Sequence, residues 1–184
     1  MLQADAYVMA MGSFSAELVR PLGIDLMIYP GKGYSATYKV TDPAAAPTVS
    51  LTDDGYKLVV SRLGDRLRVA GTCELNGYTR DLNTARCEAI TRRTKELFPD
   101  ACDYENPVYW TGLRPLTPSN VPYIGKTKYS NLYLNTGHGT LGWTHACGSG
   151  KSIARIVSGL VPEVDFAFAG MPKPVAGVAR PALG

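Results

Sequence analysis

The chain has 184 residues, of which 45% are hydrophobic and 19% charged, with a formal net charge of +3. This composition is typical of a folded protein with an ordinary hydrophobic core and argues against a disordered segment. Lysine and arginine form no basic stripe, which argues against a nucleic-acid partner, and the apolar runs are much shorter than the roughly 20 residues that span a bilayer.

The first predicted element is a buried strand over residues 6–11, a short apolar run that Gly12 ends. A short helix over residues 16–19 is expected to follow and to end before Pro21. Nothing that precedes residue 6 could supply the neighbours of this strand in a sheet, so we expect the chain to lack a preceding segment.

Residues 24–75 have the pattern of β-strands. Tyrosines and β-branched residues flank the pair Pro30-Gly31, which we interpret as a turn. The pairs Asp54-Gly55 and Gly64-Asp65 separate three alternating runs, and such pairs between strands are typical of hairpins. The pattern therefore predicts a meandering antiparallel sheet.

An amphipathic helix is predicted over residues 83–98, ending before Pro99. Its arginines lie on one side, and its apolar side is expected to consist of Ala85, Ala89, Ile90 and Leu97.

The last third of the chain begins with a predicted strand over 104–113 and a proline-rich loop. A strand over 131–135, a glycine-rich loop and a helix over 147–158 are expected to follow, with Gly159 and Pro162 as stop signals. From Met171 onward Pro, Ala and Gly dominate and predict a loose tail.

The four cysteines lie far apart and include no C-x-x-C pair. With only His138 and His145 to join them, a zinc site is disfavoured, and the sequence has no secretory signal. We expect reduced, mostly buried thiols in a cytoplasmic protein, for which any contact with the inner membrane would be peripheral.

Two glycine motifs are interpreted as misleading. Residues 137–142 match G-x-G-x-x-G, and Glu163 and Asp165 follow about twenty residues on, but the remaining chain cannot build the further strands of a nicotinamide-binding unit. Residues 145–152 nearly match a phosphate-binding loop, but His145 replaces the first glycine. Lys151 is therefore interpreted as a helix-surface lysine, and ATP binding is disfavoured.

The same block also has the order strand, glycine loop, helix start. The start of a helix presents unpaired N–H groups and a partial positive charge. This arrangement suits a delocalised anion, such as a reduced flavin, at least as well as a phosphate. The alternative is that the glycines only make a compact loop and a close helix packing.

Four collinear motifs, which cover about residues 4–159, resemble the D-amino-acid oxidase superfamily. They are ADAYVMAMGSFSAELVRPLGI with PGKGYSATY, RVAGTCELNGY, WTGLRPLTPSNVPYIG and GHGTLGWTHACGSG. Each motif alone is weak, but four in this order are specific, and within the superfamily they look most like the bacterial D-amino-acid dehydrogenases. The N-terminal βαβ unit of that family, with its dinucleotide fingerprint, is absent from this sequence.

The resemblance implies an α+β fold with an antiparallel or mixed substrate-domain sheet. It divides the chain into a fragment of an FAD-binding lobe (1–23), a substrate-binding sheet domain with one long helix (24–120), a returning strand and helix of the FAD-binding lobe (121–162) and a tail (163–184). It also implies that a missing N-terminal half is the main partner, and that exposed apolar faces could lead to self-association.

The implied activity is oxidative deamination of D-amino acids to 2-oxo acids and ammonia, by hydride transfer to FAD. FAD is expected in the intact protein but not on this chain alone, which is expected to be inactive. Two alternatives stay open: a glycine- or sarcosine-type oxidase of the same superfamily, and a non-catalytic substrate-domain fragment.

The resemblance also implies roles for particular residues. Arg114 matches the arginine that grips the substrate carboxylate, and Tyr34 and Tyr78 lie in segments that line the substrate side, although core packing would explain them equally well. Small Gly12 would let the backbone approach the cofactor. The loop over the flavin ring would comprise Gly139, Thr140, Leu141, Gly142, Trp143 and Thr144. His138 and His145 are interpreted as satisfied loop or core residues, and neither a catalytic base nor a metal is expected.

Overall fold

The computed structural model describes residues 3–164. It divides into two compact units, an insert unit formed by Tyr29–Arg114 and a terminal unit formed by Met1–Ile28 with Pro115–Gly184. The elements in chain order are β1 Tyr7–Met9, α1 Ser15–Val19, β2 Tyr29–Val40, β3 Leu51–Asp53, β4 Leu58–Leu63, β5 Arg66–Glu74, α2 Thr84–Leu97, β6 Cys102–Leu116, β7 Tyr123–Lys126, β8 Leu132–Thr136 and α3 Gly142–Val157. Short 3-10 turns at Gly12–Phe14 and Arg20–Leu22 flank α1.

The insert unit contains a five-stranded sheet in the order β3-β4-β5-β2-β6. The pairs β3–β4, β4–β5 and β2–β5 are antiparallel, as predicted. Strands β3, β4 and β5 form the predicted meander, but β2 lies beside β5 and not beside β3, so the meander does not extend over the whole segment. Both predicted hairpins are present. Leu63 pairs with Arg66 across a tight turn, and Gly64 there takes a φ of +65°, a conformation that favours glycine.

The turn predicted at Pro30-Gly31 is wrong, because both residues lie inside the twelve-residue strand β2. Pro30 is the second residue of that strand. A proline is tolerated near a strand start, where its missing N–H costs little of the ladder. Gly31 does not adopt a positive φ, so nothing reverses the chain there.

Helix α2 begins after Asn83, whose side chain accepts a hydrogen bond from the N–H of Arg86, the usual role of an N-cap asparagine. Its buried side differs from the predicted one: Cys87, Ile90 and Thr94 are buried, whereas Ala85 and Leu97 are exposed and Ala89 is only partly buried. Thr94 can be buried because its hydroxyl donates to the carbonyl of Ile90 at 2.7 Å. The apolar pattern alone does not reveal such a self-satisfied threonine.

One continuous core lies in the insert unit between the sheet and α2. Its buried members are Tyr34, Ala36, Tyr38, Ala46, Leu58, Val60, Leu67, Val69, Cys87, Ile90, Ala101, Cys102 and Tyr104. The rings of Tyr38 and Tyr104 meet edge to face at 5.2 Å, a favourable aromatic geometry.

The terminal unit contains a three-stranded sheet in the order β1-β8-β7. Strand β1 is parallel to β8, and β7 is antiparallel to it. Strand β7 lies where the sequence predicts a proline-rich loop, because it has only four residues and its pairing with β8 gives no local signal. Helix α3 packs on β7 and β8 and begins at Gly142, five residues earlier than predicted.

All four cysteines are free. Only Cys87 and Cys102 are buried, so the expectation of mostly buried thiols holds for half of them. Within residues 3–164 no helix is both long enough and apolar enough to cross a membrane. The predicted loose tail from Met171, and Asp165, lie outside the described residues.

Candidate functional site

The guanidinium of Arg114 lies directly against the backbone of Gly33 in the insert unit. A methyl group on Gly33 would overlap the guanidinium carbon and both terminal nitrogens of Arg114, so only glycine leaves this space. Nη1 of Arg114 donates a hydrogen bond to the carbonyl oxygen of Thr72 at 3.2 Å. The arginine side chain is therefore held in one place on strands β2 and β5.

A β-bulge in β5 creates the acceptor for Arg114. Lys32 pairs with Glu74 and Tyr34 pairs with Gly71, so that two residues, 72 and 73, lie opposite the single residue Gly33. Thr72 takes a φ of +55°, which is unfavourable for a β-branched residue. Its hydroxyl is buried and has no hydrogen-bond partner within the described residues.

A cavity of about 200 Å³ adjoins Arg114 within the insert unit. A second guanidinium, that of Arg68, also lines it, lies 5.8 Å from the ring centre of Trp110 and donates to the hydroxyl of Ser35 at 3.4 Å. The lining that the described chain supplies includes two arginines and no carboxylate. Such a cavity favours an anionic group, and a carboxylate matches the planar fork of an arginine.

The two tyrosines predicted on the substrate side lie in different surroundings. Tyr34 contributes to the cavity lining, but its ring is buried in the core and its hydroxyl donates to the carboxylate of Glu74. Burial is the main cause that raises the pKa of Tyr34. Tyr78 is half-buried in the turn after β5 and is not among the residues that line this cavity.

Gly12 and the glycine loop meet at one edge of the terminal sheet. Because β1 and β8 are parallel, their carboxyl ends lie together, and the hydroxyl of Thr136 donates to the carbonyl of Gly12 at 3.1 Å. Gly12 and Gly139 both have a φ of +55°. Ligands of open α/β sheets bind at this type of edge, outside the carboxyl ends of the strands.

The first turn of α3 supplies the free backbone donors of this edge. Gly142, Trp143 and Thr144 are its first three residues, so their N–H groups have no partner within the helix, and the N-cap residue Leu141 makes no side-chain hydrogen bond. Gly142, Trp143 and Thr144 are thus helical, contrary to the prediction that they belong to the loop. Two predicted loop amides are already used, since Gly139 donates to Pro115 and Leu141 donates to His138.

The side chain of His138 is the least satisfied polar group of the loop. Its Nε2 is buried without a hydrogen-bond partner in the described part of the chain, contrary to the expectation of a satisfied histidine. Its ring centre lies 6.5 Å from that of His145. Burial, and secondarily His145, lowers the pKa of His138, so a neutral imidazole is favoured.

Both motifs interpreted as misleading are explained by α3. Residues 145–152 lie entirely inside this helix, so their glycines cannot wrap a phosphate. Lys151 is exposed and forms a 2.7 Å ion pair with Glu163. No strand follows α3 up to residue 164, the last that the structure describes, and a dinucleotide-binding βαβ unit would need one.

The edge formed by Gly12, the loop and the start of α3 fits a planar anionic group. It offers backbone amides, a helix N-terminus and an unsatisfied imidazole nitrogen, and Trp143 beside it is 96% exposed. Helix termini and glycine backbones are common partners of anionic cofactors.

The chain matches the model of the FAD dependent oxidoreductase (DAO) family over residues 2–156 and belongs to that family. It is 60% identical over 167 residues to a D-amino acid dehydrogenase of Dechloromonas aromatica, covering 91% of this chain and 40% of that protein. It is 52% identical to one of Methylobacterium radiotolerans, covering 89% of this chain and 39% of that protein. The chain thus spans about two fifths of the length of these curated relatives.

Two solved structures have the same fold. Glycine oxidase from Geobacillus kaustophilus superposes with a TM-score of 0.77 at 22% identity, covering 95% of this chain and 47% of that one. Iminodiacetate oxidase from Chelativorans sp. BNC1 gives a TM-score of 0.72 at 20% identity, covering 89% and 45%. The predicted superfamily and the α+β fold class, with its antiparallel and mixed sheets, are confirmed.

Proposed function

We propose that this chain is the substrate-binding and flavin-contacting part of an FAD-dependent D-amino-acid dehydrogenase, which converts D-amino acids to 2-oxo acids and ammonia. The observation that carries the proposal is the fixed guanidinium of Arg114 in a cavity lined by arginines and no acid. Family membership and the names of the curated relatives support the reaction class.

In this proposal Arg114 binds and orients the substrate carboxylate. One of its five N–H donors is used by the carbonyl of Thr72, which leaves an edge for two parallel bonds to a carboxylate. Such a bidentate pair fixes the plane of the carboxylate and thereby the direction of the α-carbon. Arg68 adds a second positive charge to the same cavity.

At the terminal unit, the amides of Gly142, Trp143 and Thr144 would stabilise negative charge on the cofactor ring, and Gly12 would leave room for it. FAD supplies the electron acceptor of the reaction. A neutral substrate amine would need no general base, so the proposal gives His138 no proton-transfer role.

The proposal extends to the retention of FAD by this chain alone. The cofactor contacts that we assign to it lie at the start of α3 and at Gly12, and we propose that they do not retain FAD without the remaining length of the protein. A further part of the protein, which we propose to be an N-terminal half, would then be the main partner. Mixing the chain with FAD, followed by gel filtration, tests this, and a stoichiometric flavin absorbance band in the protein peak would contradict it.

The four free cysteines support a reducing compartment, such as the cytoplasm, as the location of the protein.

The experiment that tests the proposed function is Arg114→Leu in the complete protein that contains this segment. Loss of a bidentate, charge-assisted pair should raise the Michaelis constant for D-alanine well over tenfold, because each such bond contributes about 1.5–3 kcal/mol. FAD content, read from flavin absorbance, should stay unchanged. A matched control is Arg62→Leu, since Arg62 donates to the carbonyls of Gly64 and Pro43 and does not line the cavity.

An unchanged Michaelis constant in Arg114→Leu would remove this arginine from the substrate site. Glycine and sarcosine belong in the same assay, because a glycine- or sarcosine-type oxidase would prefer them to D-alanine. The superposition with glycine oxidase, at 22% identity, reflects the shared fold and does not favour that alternative. A protein that turns over none of these substrates would leave the non-catalytic alternative.

A further inference from the structure

A buried ionic cluster formed by Lys32, Tyr34 and Glu74 lies in the insert unit beside the bulge that holds Arg114. The Lys32 side chain is only 2% exposed, and its Nζ lies 2.9 Å from Oε2 of Glu74. The hydroxyl of Tyr34 donates to the same oxygen. Nζ of Lys32 also donates to the carbonyl of Asp81 at 3.0 Å, so the ammonium is paired and hydrogen-bonded.

Lys32 and Glu74 are both ionised at neutral pH. The hydrogen bond from Tyr34, followed by that from Lys32, lowers the pKa of Glu74 to about 2, and the bond to Glu74 raises the pKa of Lys32. Burying such a pair is weak evidence of stabilisation, because apolar side chains of the same volume often stabilise a fold as well. A role in geometry explains the charges better than a role in stability.

The geometry connects the cluster to the bulge. Lys32 and Tyr34 are the two neighbours of Gly33 in β2, and Glu74 binds both of them through one carboxylate oxygen. Glu74 also ends β5, directly after the two residues of the bulge. The one carboxylate therefore ties the two β2 positions that flank Gly33 to the far end of the bulge.

The bulge needs such support. A positive φ at a β-branched residue, as at Thr72, persists only where the surrounding contacts fix it. If the bulge relaxed, the carbonyl of Thr72 would turn away from Arg114, and the guanidinium would lose the hydrogen bond that holds it over Gly33.

We propose that Lys32, Tyr34 and Glu74 are positioning residues that hold the Thr72 bulge, and through it the Arg114 guanidinium, in the conformation that binds a carboxylate. The binding role of Arg114 comes from the proposed function, but the positioning of its side chain can be measured without any ligand.

The test uses the 184-residue chain and the variant Glu74→Gln, which removes the charge and keeps nearly the same shape. Asp53→Asn is the matched control, because Asp53 is also a carboxylate in the insert unit, pairs with Arg93 at 2.7 Å, and lies on β3, two strands from the bulge in β5. The first readout is the Nε–Hε resonance of Arg114 and the amide resonances of Gly33 and Thr72 in ¹H–¹⁵N spectra. The second is the dissociation constant for D-alanine, obtained by titration in the same spectra.

Glu74→Gln should shift all three sets of resonances and raise the dissociation constant at least tenfold, while Asp53→Asn should change it less than twofold. The double variant Glu74→Gln with Thr72→Gly should recover binding, because glycine adopts a positive φ without strain and keeps the bulge without the cluster. A merely stabilising role predicts no such recovery of the Arg114 resonance. Tyr34→Phe, which leaves the Lys32–Glu74 pair intact, gives a second, milder test if Glu74→Gln does not fold.

Unchanged Arg114, Gly33 and Thr72 resonances in folded Glu74→Gln or Tyr34→Phe would overturn the inference. Failure of the proposed function has a different signature. In that case Arg114→Leu would leave the D-alanine dissociation constant of the chain unchanged, or the wild-type chain would show no D-alanine binding, while the cluster variants would still move the Arg114 resonance.

Discussion

The insert unit and the terminal unit bury their apolar residues in different ways. The insert unit has one continuous core between a five-stranded sheet and α2. The terminal unit has two smaller clusters, one around Ala16, Val19 and Tyr123 and one around Ile124, Tyr133 and Ile153, beside a three-stranded sheet. One large core therefore stabilises the insert unit, whereas two smaller clusters stabilise the terminal unit.

Both units expose apolar side chains at a sheet edge, and on β6 of the insert unit Val108 and Trp110 are 67% and 59% exposed. In the terminal unit the edge strand β1 exposes Tyr7 and Val8 at 41% and 45%, and α3 exposes Trp143 almost completely. Apolar side chains exposed together typically mark interaction surfaces. Under the proposed function, the insert unit binds substrate and the terminal unit takes part in a larger cofactor-binding lobe.

The largest expected effect is the loss of core packing in the insert unit. Ile90 is 1% exposed and faces the sheet from α2, so Ile90→Ala should lower the free energy of unfolding by about 2–5 kcal/mol. Residue-resolved amide exchange is the measurement, because it separates the two units. Leu97→Ala is the control on the same helix and should cost far less, since Leu97 is exposed. Equal losses in both variants would show that the core is not where the structure places it.

The sequence predicted the parts of the insert unit that depend on neighbouring residues. The hairpin at Gly64 and the helix start at Asn83 are local signals, because a turn or a cap needs only a few adjacent side chains and backbone groups. The bulge at Thr72 has no such signal. It exists only in the register of β2 against β5, and the pairing of Lys32 with Glu74 joins residues far apart in the chain.

The same distinction explains the errors in the terminal unit. Strand β7 is short, and its pairing of Tyr123 with Thr136 depends on tertiary contacts. Helix α3 begins at Gly142 although glycines are poor helix formers, because its inner side packs on β7 and β8. The candidate residue Arg114 came from its motif, whereas its contacts with Gly33 and Thr72 required coordinates.

The next effect in size separates binding from folding in the insert unit. Gly33→Ala should displace the guanidinium of Arg114, which is the flexible end of a side chain, and should leave the strand intact because Gly33 has no positive φ. The D-alanine dissociation constant should rise about tenfold, which corresponds to about 1.4 kcal/mol. Gly55→Ala is the control in the same unit, since the added methyl would meet only Asp53 Oδ1 at 3.4 Å. Equal affinity for D-alanine in the two variants would contradict the position of the Arg114 guanidinium against Gly33.

Acid should affect the terminal unit before the insert unit. Burial lowers the pKa of His138 below 6.5. Its contribution to the free energy of unfolding is therefore complete above pH 6.5 and declines as the pH falls below that value. The Tyr34 hydroxyl and Lys32 lower the pKa of Glu74 from 4.5 to about 2. The contribution of Glu74 to the free energy of unfolding therefore persists down to about pH 4.5 and is lost toward pH 2. Amide protection factors, which correct for the slower intrinsic exchange in acid, should fall first in β8 when they are measured from pH 7 to pH 2. His138→Asn should abolish the first step and leave the second.

The smallest effect on stability, and the one that best defines the open surface, is expected at Trp143. Trp143→Ser removes an indole that makes almost no contact within the described chain, so the free energy of unfolding should change by less than about 0.5 kcal/mol. Any self-association of the chain, measured by sedimentation velocity, should nevertheless fall. Val108→Ser is the matched change in the insert unit, where Val108 is 67% exposed on the edge strand β6. If Val108→Ser lowers association and Trp143→Ser does not, the surface that associates lies in the insert unit, which would contradict its assignment to the terminal unit.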